Sequence, residues 1–205
     1  MGGLLELVLP RRCAGCQAAG DVLCARCRRE LERVPYRMAP SVDAFVPVFA
    51  LGPYSGAHRG VVLAMKERGN LAVRAHCGAV LGAALAHLEA RGEIPAGAGL
   101  VPAPTRPRSA RRRGGDPVEA MCRASGRATY PVLYLRDSAR DQAELSAAER
   151  RANLAGAVAW RGAVPPGDLV VVDDVVTTGA TLGASVATLL GRAAHVRACV
   201  ALCAA

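Results

Sequence analysis

The sequence has few aromatic side chains, a single lysine and no long apolar run. Aromatic residues make up only 3% of the chain, so the core must come from aliphatic side chains, which favours an α/β layering of helices and strands. No apolar stretch approaches the roughly 20 residues that cross a bilayer. The first ten residues lack a basic region, and Glu6 interrupts their short apolar run, so they make a poor signal peptide. We therefore expect a cytoplasmic protein with no membrane span.

The positive charge comes almost entirely from arginine. The formal net charge is +9, and Lys66 is the one lysine among 26 basic residues. Such an excess usually indicates an anionic partner, such as nucleic acid, a phosphate-bearing substrate or a membrane surface. An arginine- and alanine-rich chain is also what a GC-rich genome produces without selection for binding. Charge alone therefore does not identify the partner.

The 205 residues allow one main domain and a small appended module. We predict the module over residues 1–40, where a cysteine cluster is followed by the Pro-containing stretch VPYRMAP. The main domain is predicted over residues 41–205. There the pattern VDAFVPVFAL, which begins at Val42, predicts a strand, and Pro47 places it at a sheet edge.

The rest of the main domain alternates apolar strands with helices. Further strands are predicted in GLVPAP, PVLYL, GAVAW, DLVVVDDVV and HVRACVALC. Helices are predicted near Ala57–Arg68, Leu71–Ala90, Pro117–Ser125 and Gly179–Gly191, with Asp116 as the N-cap of the third. Nearly continuous apolar strands separated by helices indicate a Rossmann-like parallel sheet covered on both faces.

Four of the eight cysteines form two C-x-x-C knuckles with seven residues between them. They are Cys13, Cys16, Cys24 and Cys27. In a protein expected in the cytoplasm, where thiols stay reduced, this layout predicts a tetrahedral zinc site. Redox pairing and an iron–sulfur cluster are the alternatives. Four thiolates leave no open coordination position, so the zinc would be structural. The scattered Cys77, Cys122, Cys199 and Cys203 are expected to fill the core.

Arginines surround the two knuckles. They are Arg11, Arg12, Arg26, Arg28 and Arg29. These side chains could contact the phosphates of single-stranded nucleic acid. Alternatively, they could offset the two negative charges that four thiolates and one Zn²⁺ leave.

The stretch VVVDDVVTTGAT places two acids at the end of an apolar strand, followed by a glycine turn where a helix begins. Helix N-termini offer unpaired N–H groups and a positive dipole end, so the turn is suited to a phosphate monoester. The residues predicted to hold it are Thr177, Thr178, Gly179, Ala180 and Thr181. Asp173 and Asp174 can accept hydrogen bonds from vicinal hydroxyls, so the ligand would be a sugar 5′-phosphate. An incidental acid pair before a helix N-cap is the alternative.

This stretch resembles the phosphoribosyl pyrophosphate (PRPP) motif of type I phosphoribosyltransferases. The resemblance implies that Mg²⁺–PRPP binds here, with the ribose at Asp173 and Asp174. In purine-salvage members the position of Thr177 is an aspartate that acts as general base. The threonine makes a purine acceptor less expected and leaves the catalytic base and the acceptor unknown.

Two polar segments complete the predicted site. The arginine-rich loop in PAPTRPRSARRRGGDP follows a strand, and the resemblance implies that such a loop binds the pyrophosphate, with Mg²⁺ bridging pyrophosphate and ribose oxygens. The predicted pyrophosphate-binding residues are Lys66, Thr105, Arg106, Arg108 and Arg113. A second segment is a candidate lid that excludes water, or else a surface helix. Its polar side chains are Arg136, Gln142, Arg150 and Asn153.

Taken together, the knuckles and these segments resemble the ComF/GntX family over nearly the whole chain. Lys66 and the Arg113–Gly114 pair match family positions, whereas Gly115-Asp116-Pro117 stand where the family usually has Phe–Asn–Gln. The resemblance implies transfer of a phosphoribosyl group to an unknown acceptor, with release of pyrophosphate. The alternative is a non-catalytic PRPP sensor, or a protein of DNA uptake that acts with single-stranded DNA and a helicase-like partner.

Overall fold

The computed structural model describes residues 11–136 and 157–205. Its helices are α1 (Ala25–Leu31), α2 (Gly56–Lys66), α3 (Ala72–Ala90), α4 (Pro107–Arg112), α5 (Pro117–Ala124) and α6 (Ala180–Leu190). Its strands are β1 (Tyr36–Met38), β2 (Val48–Ala50), β3 (Gly99–Pro102), β4 (Leu133–Leu135), β5 (Val158–Trp160), β6 (Asp168–Val176) and β7 (His195–Ala204). None of the helices in these two ranges has the length and apolarity that crossing a bilayer requires.

Five strands form a mostly parallel sheet in the order β1-β2-β7-β6-β3. The strands β2, β7, β6 and β3 run parallel, and β1 pairs antiparallel with β2. The interior strand β6 is buried on both faces, which explains its apolar run: Val170 and Val172 join one core, and Leu169 and Val171 join the other. The predicted α/β class with a largely parallel sheet covered on both faces is confirmed.

The two cores assign the helices to faces of the sheet. Buried side chains of α2, α3 and α5 belong to the core that contains Val170. Those of α6, together with β4 and β5, belong to the core that contains Val171. The four scattered cysteines are buried in these cores, as expected: Cys77, Cys122, Cys199 and Cys203.

The predicted helices lie where the sequence placed them, within a few residues at each end. The N-cap of α5 is confirmed in detail: the Asp116 carboxylate accepts hydrogen bonds from Val118 N at 2.8 Å and Glu119 N at 3.2 Å. Pro117 occupies the first turn, where its missing N–H costs no hydrogen bond.

Three expectations about the strands and loops were wrong. The strand after Pro47 is not at an edge, because β1 covers it; the proline precedes the ladder, and its carbonyl accepts from Cys199 N at 2.8 Å. The segments PVLYL and GAVAW do not extend the parallel sheet. As β4 and β5 they pair antiparallel with each other in a separate two-stranded sheet. The arginine-rich segment is not simply a loop, since it contains α4.

The cysteine knuckles share a core with the main sheet. Cys27 and Leu31 of α1 are buried in the same cluster as Ala57 and Val61 of α2. The approach is close: a Cβ added at Gly60 of α2 would lie 2.1 Å from the carbonyl oxygen of the first knuckle's glycine. The strand β1 begins before residue 40 and joins the main sheet. The domain boundary at residue 40 stays a prediction.

Candidate functional site

The acid pair lies near the C-terminal end of β6, and the two residues differ in burial. Asp174 is only 4% exposed, and its carboxylate contacts the end of α2, whereas Asp173 is partly exposed. The Asp173 carboxylate accepts a hydrogen bond from Asp174 N at 2.8 Å. Burial, followed by the negative charge of Asp174, raises the pKa of Asp173 well above its usual range.

Lys66, the last residue of α2, is brought to this pair. Its Nζ lies 2.7 Å from Oδ2 and 2.8 Å from Oδ1 of Asp174. The ammonium group therefore compensates the charge of the more buried carboxylate. Asp173 is left as the more accessible acid of the pair.

The threonine loop connects β6 to α6, and its Gly179 adopts the left-handed backbone conformation. Gly179 has φ 84°, and a Cβ there would lie 2.6 Å from Cβ of Pro40. The segment that carries Pro40 supports the loop from behind, because Val42 N donates to Thr178 O at 2.8 Å. Thr177 and Thr178 are exposed in front of the helix N-terminus. The five residues of the predicted phosphate loop line a cavity of about 120 Å³ together with Asp173.

A second cavity, of about 250 Å³, adjoins the first. Asp173, Val175 and Thr181 line both. Most of the basic and polar side chains predicted for pyrophosphate surround the larger cavity together with the acid pair: Lys66, Thr105, Arg106 and Arg113. Arg108 is not among the residues that line either cavity; it is exposed on α4.

Arg113 is held in place by its own contacts. Its Nε donates to the carbonyl oxygen of Lys66 at 2.9 Å, and an Nη atom lies 3.9 Å from the Glu67 carboxylate. The guanidinium group therefore links the end of α4 to the end of α2. This contact places the two basic side chains on the same wall of the cavity.

Sequence reasoning missed Ser109 and Arg74. Ser109 of α4 lines the larger cavity, but a serine within an arginine-rich stretch gives no signal. Arg74 lies on α3 and is 7% exposed, with its guanidinium against the carbonyl groups that follow α4. The helical spacing could have revealed Arg74. It lies on the buried face of α3, where an apolar residue is expected.

The four knuckle cysteines form the second candidate site. Their sulfur atoms all lie within 4.8 Å of one another. A tetrahedral site with Zn–S bonds of about 2.3 Å separates its sulfurs by about 3.8 Å. The Sγ atoms of Cys16 and Cys24 are 3.7 Å apart, which fits that geometry. The cluster is compatible with structural zinc binding.

The backbone around the knuckles favours a thiolate at Cys13, whereas burial and the other three cysteines raise the pKa of Cys27. Cys24 N lies 3.3 Å from Sγ of Cys13 in hydrogen-bonding geometry. Burial acts to raise the pKa of Cys13, but backbone N–H groups that point at its sulfur outweigh burial and lower the pKa to about 6. Arg26 lies beside Cys16, and that contact raises the pKa of the arginine. This arrangement agrees with the charge-compensation interpretation of at least one knuckle arginine.

The candidate lid lies mostly outside the described residues. Arg136 is exposed at the end of β4, and its backbone N–H donates to Ala157 O at 2.9 Å. Gln142, Arg150 and Asn153 fall within residues 137–156, which the structure does not describe. The lid stays a prediction.

Around the two adjoining cavities the chain combines a partly exposed carboxylate, a helix N-terminus and several basic side chains. This arrangement can bind a ligand that carries hydroxyls in its middle and anionic groups at its ends. In comparisons with known proteins, no family model and no curated protein matches this chain. The chemistry of the side chains therefore carries the functional argument.

Proposed function

We propose that this chain is a phosphoribosyltransferase-like protein of the ComF/GntX family that binds PRPP with Mg²⁺ in the two adjoining cavities. One observation carries the proposal: an acid pair, a threonine loop at a helix N-terminus and a basic wall meet at one end of the sheet. Each of the three matches one part of PRPP. The five-stranded sheet would then be the Rossmann-like sheet of type I phosphoribosyltransferases.

Each cavity receives one end of the ligand. The 5′-phosphate binds in the smaller cavity, where the loop of residues 177–181 offers hydroxyl groups and backbone N–H groups. The ribose lies at the junction, where Asp173 accepts hydrogen bonds from its hydroxyls and Asp174 supports it from beneath. The pyrophosphate lies in the larger cavity against Lys66, Arg106 and Arg113.

The carboxylates at the cavity wall are suitable protein ligands for Mg²⁺. Mg²⁺ is commonly held by one or two carboxylates and completed by substrate phosphates and water. Asp173 and Asp174 supply such carboxylates at the wall of the larger cavity. Bound there, the ion would offset the charge of the pyrophosphate leaving group. The residues of the chain would fix the two ends of the substrate.

As an enzyme, the protein would catalyse substitution at the anomeric carbon. The bond between that carbon and a pyrophosphate oxygen breaks, and a nucleophilic atom of the acceptor bonds to the carbon. Lys66 and Arg113 would stabilise the negative charge that develops on the leaving pyrophosphate. The acceptor and the group that takes its proton are not assigned.

Calorimetric titration with PRPP tests the proposal. We expect the wild-type chain to bind PRPP in a magnesium-dependent manner, and the double variant Asp173→Asn/Asp174→Asn to lose that binding. Asp168→Asn is the matched control, because Asp168 lies on the same strand at its other end. Absence of PRPP binding by folded wild-type protein would overturn the proposal, and so would equal binding by the double variant. Release of pyrophosphate with candidate acceptors then tests for catalysis.

We propose that the cysteine cluster binds one structural Zn²⁺. Elemental analysis of purified protein should find one zinc per chain, and Cys13→Ser/Cys24→Ser should lose both the metal and the cooperative unfolding transition. Cys77→Ala is the matched control, since Cys77 is buried outside the cluster. Iron in place of zinc would favour the iron–sulfur alternative, and absence of metal would contradict a metal role.

A second candidate function is binding of single-stranded DNA. The observation in its favour is that all five arginines around the knuckles are exposed. Fluorescence anisotropy with a labelled oligonucleotide should show binding that weakens steeply with salt and is reduced by Arg28→Gln/Arg29→Gln. Arg91→Gln/Arg192→Gln, which removes two exposed arginines elsewhere, is the control. Equal loss in both variants would indicate a non-specific charge effect.

A further inference from the structure

The helix α4 carries part of the basic wall without a buried apolar side chain of its own among the described residues. None of its six residues is buried. A helix this short is not stable on its own in water, because nucleation costs more than so few hydrogen bonds return. Ser109 of α4 and Arg113 at its C-terminal end nevertheless line the larger cavity. Polar contacts must therefore hold the helix in position.

Arg74 supplies the contacts at the C-terminal end of α4. One of its Nη atoms donates to Arg113 O at 2.6 Å and the other to Gly114 O at 3.2 Å. Gly114 and Gly115 have φ 65° and 109°, values that favour glycine. Burial of a guanidinium group is costly unless hydrogen-bond acceptors surround it, so buried Arg74 requires acceptors close by. The three consecutive carbonyls of residues 113–115 satisfy its two Nη atoms, while Nε has no partner among the described residues.

The N-terminal end of α4 is tied to the same region. The Thr105 side chain, which precedes α4, lies near the Asp116 carboxylate, which also caps α5. Arg74 acts electrostatically on Asp116 from α3. The connections at both ends of α4 thus converge on Arg74 and Asp116. These two charged groups act where α4 has no buried apolar side chain among the described residues.

We infer that Arg74 is a positioning residue that holds α4 against the larger cavity and so sets the basic wall for an anionic ligand such as pyrophosphate. The effect passes through residues that line the cavity. Arg74 fixes the backbone of Arg113, whose side chain contacts Lys66 O, and Lys66 in turn reaches Asp174. The inference rests on the proposed function for the identity of the ligand. The anchoring of α4 stands on the contacts themselves.

Two measurements on the same variants separate positioning from general stability. Hydrogen–deuterium exchange of peptides that cover residues 106–115 reports on α4, and calorimetry with inorganic pyrophosphate and Mg²⁺ reports on the basic wall. Arg74→Met removes the donors at similar length, and Arg74→Lys keeps the charge without the planar fork. Arg123→Met is the matched control, because Arg123 is an exposed arginine in an i,i+4 pair with Glu119.

We expect Arg74→Met to speed exchange in residues 106–115, while α6 exchanges as in the wild type. Its affinity for pyrophosphate should fall by about tenfold or more, because charge-assisted hydrogen bonds fix the wall. Arg74→Lys should fall between the wild type and Arg74→Met in both measurements. The Arg123→Met control should match the wild type. If Arg74→Met does not fold, the intermediate values expected of Arg74→Lys decide the question.

The outcomes distinguish this inference from the proposed function. If the wild type binds pyrophosphate and the Arg74 variants bind it equally well with unchanged exchange in α4, the inference is overturned alone. A uniform rise of exchange in α4 and α6 with unchanged affinity also overturns it, since Arg74 would then act only on global stability. If the wild type binds neither pyrophosphate nor PRPP, the proposed function and the ligand role of Arg74 are both overturned.

Discussion

Lys66 and Asp174, which are 108 positions apart in the chain, form a two-point ion pair at the wall of the larger cavity. The lysine side chain is 29% exposed and the aspartate side chain only 5%. The pair joins the end of α2 to β6 and compensates a carboxylate that would otherwise be buried without a counter-charge. The pairing also distinguishes the two acids. Asp174 is held by the lysine, whereas Asp173 lines both cavities.

Replacement of Lys66 by methionine should destabilise the fold. The variant Lys66→Met leaves Asp174 buried and unpaired, and we expect the free energy of unfolding to fall by about 2 kcal/mol. This is below the full cost of breaking a buried pair, because the lysine is partly exposed. Urea denaturation at neutral pH measures the change.

An exposed ion pair provides the comparison for Lys66. Arg123→Met breaks the pair with Glu119 on the surface of α5, and its cost should be about 0.5 kcal/mol or less. The added substitution Asp174→Asn should restore part of the stability of Lys66→Met, since it removes the uncompensated charge. Equal losses in Lys66→Met and Arg123→Met would contradict the structural role of the pair.

The parts of the fold that follow from local pattern were predictable. The apolar, valine-rich run of β6 favours a strand buried on both faces, and Asp116 followed by proline is a helix-start signal. The same run ends in the acid pair and the threonine loop, so the cavity wall that β6 and α6 build could be located from sequence. The proximity of four cysteines likewise follows from two knuckles with a short spacer.

What could not be predicted depends on long-range pairing. The residues within each strand do not reveal that β1 pairs with β2, or that β4 pairs with β5 rather than with the main sheet. The roles of Lys66 and Arg74 have the same character. Each acts through a contact with a distant segment, Asp174 in one case and the carbonyls after α4 in the other. A sequence pattern places such residues on an element but does not supply their partners.

Gly179 should not tolerate a side chain. We expect Gly179→Ala to lower the free energy of unfolding by about 3 kcal/mol, through left-handed strain and contact with Pro40. Gly167→Ala is the matched control: its φ of 71° imposes similar strain, but no atom lies within 4 Å of the added Cβ. Its cost should be about 1 kcal/mol. Thermal or urea unfolding of both variants measures the difference, and equal costs would show that Pro40 does not constrain the loop.

Asp173 should make the ligand-free protein less stable as pH rises. Its pKa in the fold is raised above the ordinary value of 3.8, first by burial and then by the charge of Asp174. Between 3.8 and the raised pKa the folded state keeps a proton that the unfolded state has released, so stability falls with increasing pH across that window. The variant Asp173→Asn lacks this loss and can still accept the hydrogen bond from Asp174 N.

The stability of Asp173→Asn relative to the wild type should therefore grow as pH rises from about 4 through the raised pKa of Asp173. Urea denaturation at a series of pH values gives the two curves. Asp168→Asn, at the other end of the same strand, is the control. The same variant should bind PRPP more weakly, so a gain in stability accompanies a loss of binding, as is common at functional sites. Parallel stability curves for Asp173→Asn and the wild type would show that Asp173 ionises in the fold without cost.

His58 should make the folded protein less stable at acid pH. The ring is 1% exposed on α2, and burial lowers its pKa below 6.5, a shift that the nearby Glu30 opposes and Arg33 reinforces. Between the lowered pKa and 6.5 the unfolded state binds a proton that the folded state does not, so stability is lost as pH falls below 6.5. His58→Phe should flatten that loss between about pH 7 and about pH 5 in urea denaturation, whereas His195→Phe, at an exposed position of β7, should keep it. A wild-type slope in His58→Phe would mean that other groups cause the acid sensitivity.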